Sequence, residues 1–166
     1  MPYRATVKPP VLYASWHGFS GHDLRELTDR IAELHRSVGH QVAYFARIPP
    51  AYHVFSDDEQ SILLGFLQAI LPHCATIHHV IEGDGFLKSG RIAIVTTLAR
   101  STPRPRDFHT HATIEEGIRS IKGLYGVDFT EDGGESAEAP PERASGAFRE
   151  AARIVEARRA PPRRGS

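Results

Sequence analysis

Apolar residues recur along this chain in two rhythms, one suited to strands and one to helices, with glycine and proline marking the changes between them. Val11 to His17 is a short, mostly apolar run holding Tyr13 and Trp16, and it reads as a strand that Gly18 breaks. Ser20 opens a stretch in which Leu24, Leu27, Ile31, Leu34 and Val38 share one helical stripe, and Asp23 completes a variant of the capping box. Gly39 stands where such a helix needs a left-handed residue to stop. Gln41 to Ile48, with VAYFARI at its heart, is a second strand, ended by Pro49 and Pro50. Ser56 with Glu59 forms a second capping box, followed by a wide apolar face of Ile62, Leu63, Phe66, Leu67, Ile70 and Leu71, closed by Pro72. Thr76 to Glu82 is a third strand, apolar on both faces, which predicts a central position covered on both sides. Gly83 and Gly85 turn the chain into a third helix from about Phe86 to Ala99, expected to bury Phe86, Ile92, Val95 and Leu98. Phe108 to Ala112 is a short fourth strand. Thr113 with Glu116 caps a last helix whose Ile114, Ile118 and Ile121 face inward, ended by Gly123 or Gly126.

Strands alternating with amphipathic helices predict an α/β fold, a single mainly parallel four- to five-stranded sheet with four helices and right-handed crossovers. The domain spans residues 10–126. Residues 1–9 read as an N-terminal arm. Residues 127–166, rich in Gly, Glu, Asp, Arg and Pro, read as a low-complexity, largely disordered tail with a short helix over 142–159.

Composition narrows the classes. Lys plus Arg and Asp plus Glu both total 20, so no general attraction to nucleic acid or a membrane surface is implied. The longest apolar stretches, Ile62 to Leu71 and Ile92 to Ala99, fall short of the roughly 20 helical residues that span a bilayer, and no stable membrane insertion is expected. Met1 to Pro10 carries Arg4, Lys8 and three prolines and does not read as a signal peptide. Cys74 is the sole cysteine, which excludes an intramolecular disulfide and a thiolate-rich metal site. The expected location is cytoplasmic.

The candidate chemistry is sparse. His109 and His111 share one face of a strand, and His78 lies on a neighbouring strand with His79 pointing the opposite way. His78, His109 and His111 are the candidates for a metal site, yet their spacing matches no zinc signature and acidic ligands are missing beside them. No metal or other cofactor is expected. Gly83-Asp84-Gly85 is neither GxGxxG nor a P-loop and reads as a tight turn. Cys74 reads as a half-buried inert thiol, because the adjacent His73 is poorly placed to serve as its base. Arg100, Arg104 and Arg106 make a small basic loop. Ser56 is a helix N-cap on plain structural grounds. As a phosphorylation site it would have Asp57, Asp58 and Glu59 repelling the phosphate. Catalysis is not expected.

The stretch from Leu12 to Ile121 resembles a STAS domain, the fold of the SpoIIAA-type anti-sigma-factor antagonists. The resemblance rests on the α/β run, on VAYFARIPP as central strand, on Ser56 opening the following helix, and on HATIEEGI leading into the last helix. It implies a non-catalytic regulatory or scaffold module that binds a partner protein, possessing a regulatory serine at Ser56. EGDGFLKSG, Glu82 to Gly90, offers an alternative register that nominates Ser89. Where the family has Asp-Ser-Ser-Gly, this chain has Phe55-Ser56-Asp57-Asp58, a standing negative charge. The expected partner surface is the loop Pro49 to Asp58, with Tyr52, His53, Phe55, Asp57 and Asp58 as contacts. Relatives with this fold that hold a lipid or small apolar ligand between sheet and helices supply a second expectation, an apolar cavity under the second and third helices. A His-based metalloenzyme is the third.

Overall fold

The computed structural model describes residues 3–50 and 55–130. Five strands form one sheet in the spatial order of the sequence: β1 (Tyr3–Lys8), β2 (Val11–Trp16), β3 (Val42–Ile48), β4 (Cys74–Ile81) and β5 (Phe108–His111). The helices are α1 (Gly21–Val38), α2 (Asp57–Ile70), α3 (Gly85–Arg100) and α4 (Ile114–Tyr125). The strands from β2 to β5 are parallel, and β1 runs antiparallel to β2, so the sheet is mixed.

The first strand corrects the reading of residues 1–9 as an arm. Tyr3 to Lys8 pairs residue by residue with Trp16 to Val11, and Tyr3 is buried with its ring 5.1 Å from that of Trp16. Pro9 and Pro10, which suggested a chain without structure, occupy the hairpin turn instead, where the missing N–H groups cost the ladder nothing.

Side chains alternate across the sheet, and two cores result. Leu12, Ala14 and Trp16 of β2, with Val42, Tyr44, Ala46 and Ile48 of β3, pack with α1, α2 and α3. Val11, Tyr13, Ala43, Phe45 and Val80 face the other way and meet Ile114 and Ile121 of α4. Strands β3 and β4 are therefore covered on both faces, as the apolar reading of the third strand required. The second core also takes Phe129, fully buried with its ring 5.6 Å from Tyr13 and 6.3 Å from Phe45. The ordered domain thus runs past residue 126. An isolated Phe among acidic and small residues has no periodicity to announce it. The expected helix over 142–159 lies outside the described residues.

The helix ends follow the expected chemistry. Ser20 and Ser56 each accept a hydrogen bond from the backbone N–H three residues on, and Asp23 and Glu59 return the bond to the cap N–H. Gly39 and Gly126 end α1 and α4 in the left-handed conformation. The burial expected of Phe86 is corrected: it is 87% exposed. α3 begins at Gly85, which puts Phe86 in its first turn, directly after the glycine turn out of β4.

Gly117 is where α4 approaches the sheet most tightly. A Cβ there would lie 2.7 Å from Val80 Cγ2 and 2.8 Å from Phe45 Cε2. Gly117→Ala is expected to destabilise by about 1–3 kcal/mol despite the better helix propensity of alanine. Gly65→Ala on α2, with nothing within 4 Å of the new atom, is expected to stabilise by about 0.5–1 kcal/mol. Denaturant melts of the two variants check the contrast.

Candidate functional site

Parallel strands deliver every following helix to one end of the sheet. The N-termini of α1, α2, α3 and α4 gather there, beyond the C-terminal ends of β2 to β5, the end at which open α/β sheets present their binding groups. Arg91 holds this end together. It lies on α3 and is 1% exposed, yet meets carbonyls rather than a carboxylate. Its guanidinium donates to Pro49 O at 2.9 Å, Glu82 O at 3.1 Å and Leu87 O at 3.3 Å. The exit of β3, the exit of β4 and the first turn of α3 are thereby tied to one group. Lys88 Nζ donates to Ala112 O at 3.0 Å and adds the exit of β5.

The expected partner-binding residues divide. Phe55 is 4% exposed and packs against Phe19 with ring centroids 5.9 Å apart, so it is a root of the core and not a contact. Its place just before the cap turns it inward as the entry anchor of α2. Ser56, Asp57 and Asp58 stand exposed in a row at the start of α2. Tyr52 and His53 lie outside the described residues. Ser89, the alternative serine, is exposed, and its hydroxyl donates to Gly85 O at 3.2 Å within α3. Beside these stand Phe86, 87% exposed, and Leu87, 52% exposed, which the sequence reading did not nominate. Two large apolar residues directly after Gly-Asp-Gly were the available signal.

Below this end, between the sheet and α1 to α3, lies an apolar cavity lined by Trp16, Phe19, Tyr44, Phe55, Phe66 and His79, among others. Its volume is about 20 Å³, room for about one water. Trp16 Nε1 donates to the Tyr44 hydroxyl at 2.9 Å. His79 Nδ1 is buried with no hydrogen-bond partner.

The histidines do come together on the α4 face. His78 stacks on His109, with ring centroids 4.7 Å and planes 20° apart, and lies edge to edge and nearly coplanar with His111, with centroids 5.2 Å and planes 4° apart. Its Nδ1 lies 2.9 Å from His111 Nε2, and its Nε2 lies 3.1 Å from Thr76 Oγ1, which meets the Tyr125 hydroxyl at 2.6 Å. The two ring nitrogens of His78 face His111 and Thr76 and do not converge with His109 on a shared point. Among the described residues no three His, Cys, Asp or Glu side chains form a group that could hold a metal ion. The row serves instead as a polar tie from sheet to helix. Cys74 is fully buried, more so than expected, and burial pushes its thiol up to about 12, so it stays protonated. Arg104 is not a free basic group of a loop: it donates to Leu71 O at 3.1 Å and Cys74 O at 3.0 Å and pairs with Asp107 at 2.5 Å. Among the described residues no helix is long and apolar enough to cross a membrane.

Burial, followed by the neighbouring histidines, pulls His78 from 6.5 to about 3, and burial pulls His79 from 6.5 to about 4. Both are neutral in the folded chain near pH 7. Below pH 6.5 the unfolded chain binds protons that the folded chain refuses. The stabilisation is therefore complete above pH 6.5 and declines as pH falls towards 4 and then 3, with a slope of up to about 1.4 kcal/mol per pH unit for each histidine. Urea melts between pH 7 and pH 5 are expected to show this loss, and His79→Phe should make the slope shallower without abolishing it, because burial also lowers the pKa of His78, His73 and His111. No protein-family model matches this sequence, and no curated protein matches it.

Proposed function

We propose that this chain is a non-catalytic regulatory or scaffold module, of the STAS or SpoIIAA-like kind its sequence resembles, that binds a partner protein through the C-terminal end of its sheet. The observation that carries the reading is the start of α2. Ser56, Asp57 and Asp58 are exposed together on a helix end fixed by a reciprocal cap and rooted by the buried Phe55. A rigid group of charges binds without first losing its own freedom. The negative charge is built in: a phosphate on Ser56 would join three acidic residues, Asp57, Asp58 and Glu59, in the first turn of α2. Ser56 therefore acts as a cap, and the acids supply the charge.

A second reading, a binder of a small apolar ligand, is favoured by the unpartnered His79 Nδ1 beside the apolar cavity. At about 20 Å³ the space does not admit a lipid tail, and a larger ligand enters only if Phe19 or Phe55 moves aside. A co-purifying mass in native mass spectrometry would favour this reading.

Asp57→Lys/Asp58→Lys tests the first reading. Reversing two exposed acids at a helix start costs about 0.3–1 kcal/mol each, so the fold survives. Quantitative affinity purification is expected to show a protein held by the wild type and reduced by about tenfold or more with the variant. An identical set of captured proteins would defeat the proposal.

A further inference from the structure

The exposed pair in the first turn of α3 says more about the partner than the acids do. Phe86 and Leu87 face solvent at 87% and 52% exposure, although a folded chain of this size buries most residues of their kind. Their backbone is not loose. Arg91 takes the carbonyl of Leu87 and those of Pro49 and Glu82, and Lys88 reaches Ala112 O. Gly83 and Gly85, at φ 98° and 62°, turn the chain sharply out of β4 in a conformation that side chains rarely accept. An aromatic and an aliphatic group are thus presented on a fixed platform, as at the centre of a protein interface.

The exposed charges around the pair are mostly acidic. Asp84 precedes it. Asp57 and Asp58 begin α2, and Glu115 and Glu116 begin α4, all exposed and all brought to this end by the parallel order of the strands. The cations at this end are the buried Arg91, the half-buried Lys88, which donates to Ala112 O, and Arg47, which pairs with Glu82 at 3.0 Å; the exposed acids outnumber them. The basic residue of the α1 first turns, Arg25, stands on the helix that follows β2, away from α3 and α4 in the strand order. A second copy of this chain would set acids against acids, and an anionic membrane surface would be repelled in the same way.

Resting on the partner-binding reading above, we infer that the partner presents a basic amphipathic segment, whose apolar side chains cover Phe86 and Leu87 while its Lys and Arg face Asp57, Asp58, Asp84 and Glu115. The apolar pair supplies the contact area and the acidic rim sets the choice of partner.

Selection of displayed random peptides against the full chain tests this. The enriched sequences are expected to combine Lys or Arg with aliphatic or aromatic residues. By fluorescence anisotropy, a labelled representative should bind about tenfold or more weakly to Phe86→Ser/Leu87→Ser, and its binding should weaken with salt. Both replaced side chains are at the surface, so the melting temperature should hold. Acidic or uncharged peptides, or binding indifferent to the double variant, overturn the inference. Loss of binding with Asp57→Lys/Asp58→Lys but not with Phe86→Ser/Leu87→Ser overturns it while leaving the partner-binding reading intact. Absence of any enriched peptide counts against both. Self-association in light scattering, or binding to anionic vesicles, replaces the basic segment with a different occupant.

Discussion

One guanidinium holds the working end of this fold. Arg91 is buried where a charge is costly, and its only visible return is three carbonyl oxygens at the exits of β3 and β4 and in α3. Two of those carbonyls, Pro49 O and Glu82 O, belong to segments that leave the sheet, and the third, Leu87 O, is in the first turn of α3. A carbonyl left bare in the core is itself expensive, so the arginine and the two strand exits satisfy one another. Gly83 belongs to the same arrangement: a Cβ there would approach Arg91 Nη2 to 3.2 Å, so the turn stays clear for the side chain to pass. The position of Phe86, Leu87 and the start of α2 follows from this junction more than from any local preference of their own.

The opposite face is organised by a different economy. After three crossovers on one side, the chain leaves β5 at the sheet's edge and returns as α4 across the other. Little apolar surface is left there near β5, because His78, His109 and His111 occupy the face that a helix would otherwise cover with carbon. The side chains settle this by His109 stacking on His78 and by hydrogen bonds that run from His111 through His78 and Thr76 to Tyr125 at the end of α4, and burial favours the neutral form of His78 and His111. The helix is thus closed at its start by Ile114 against the sheet, in its middle by the bare approach of Gly117, and at its end by a polar chain. The arrangement is polar, satisfied within itself and turned towards a helix, which is why it reads as structure and not as chemistry.

Much of the fold was legible in the sequence, and the exceptions share a cause. Capping boxes at Ser20 and Ser56 and the glycine stops at Gly39 and Gly126 are local devices, written in a few adjacent residues. The opposed faces of His78 and His79 follow from strand geometry alone. Strand β1, the burial of Phe55 and Phe129, and the exposure of Phe86 are instead set by partners far away in the chain. Tyr3 is buried because Trp16 lies across the hairpin; Phe129 is buried because Tyr13 and Phe45 leave a space for it. The apolar residues of α3 read alike in the sequence, yet Val95 and Leu98 are buried and Phe86, in the first turn, is exposed. No pattern within the helix separates a core phenylalanine from a surface one.

The proposed recognition falls where that exposure lies. The cavity beneath Phe55 is apolar but holds about 20 Å³, and the histidine row spends its hydrogen bonds internally. At the end of the sheet the balance is reversed: Arg91 and Lys88 tie the backbone, while the side chains it carries, apolar at Phe86 and Leu87 and acidic at Asp57 and Asp58, are exposed. Rigidity below and unspent surface above are the two conditions under which burial by another molecule yields affinity instead of being lost to ordering. On the proposed reading, a fixed acidic rim favours basic partners at every moment, without waiting for a modification at Ser56 that three neighbouring carboxylates would oppose. Regulation on that reading would come from which partner is present and not from a change in the charge of the chain.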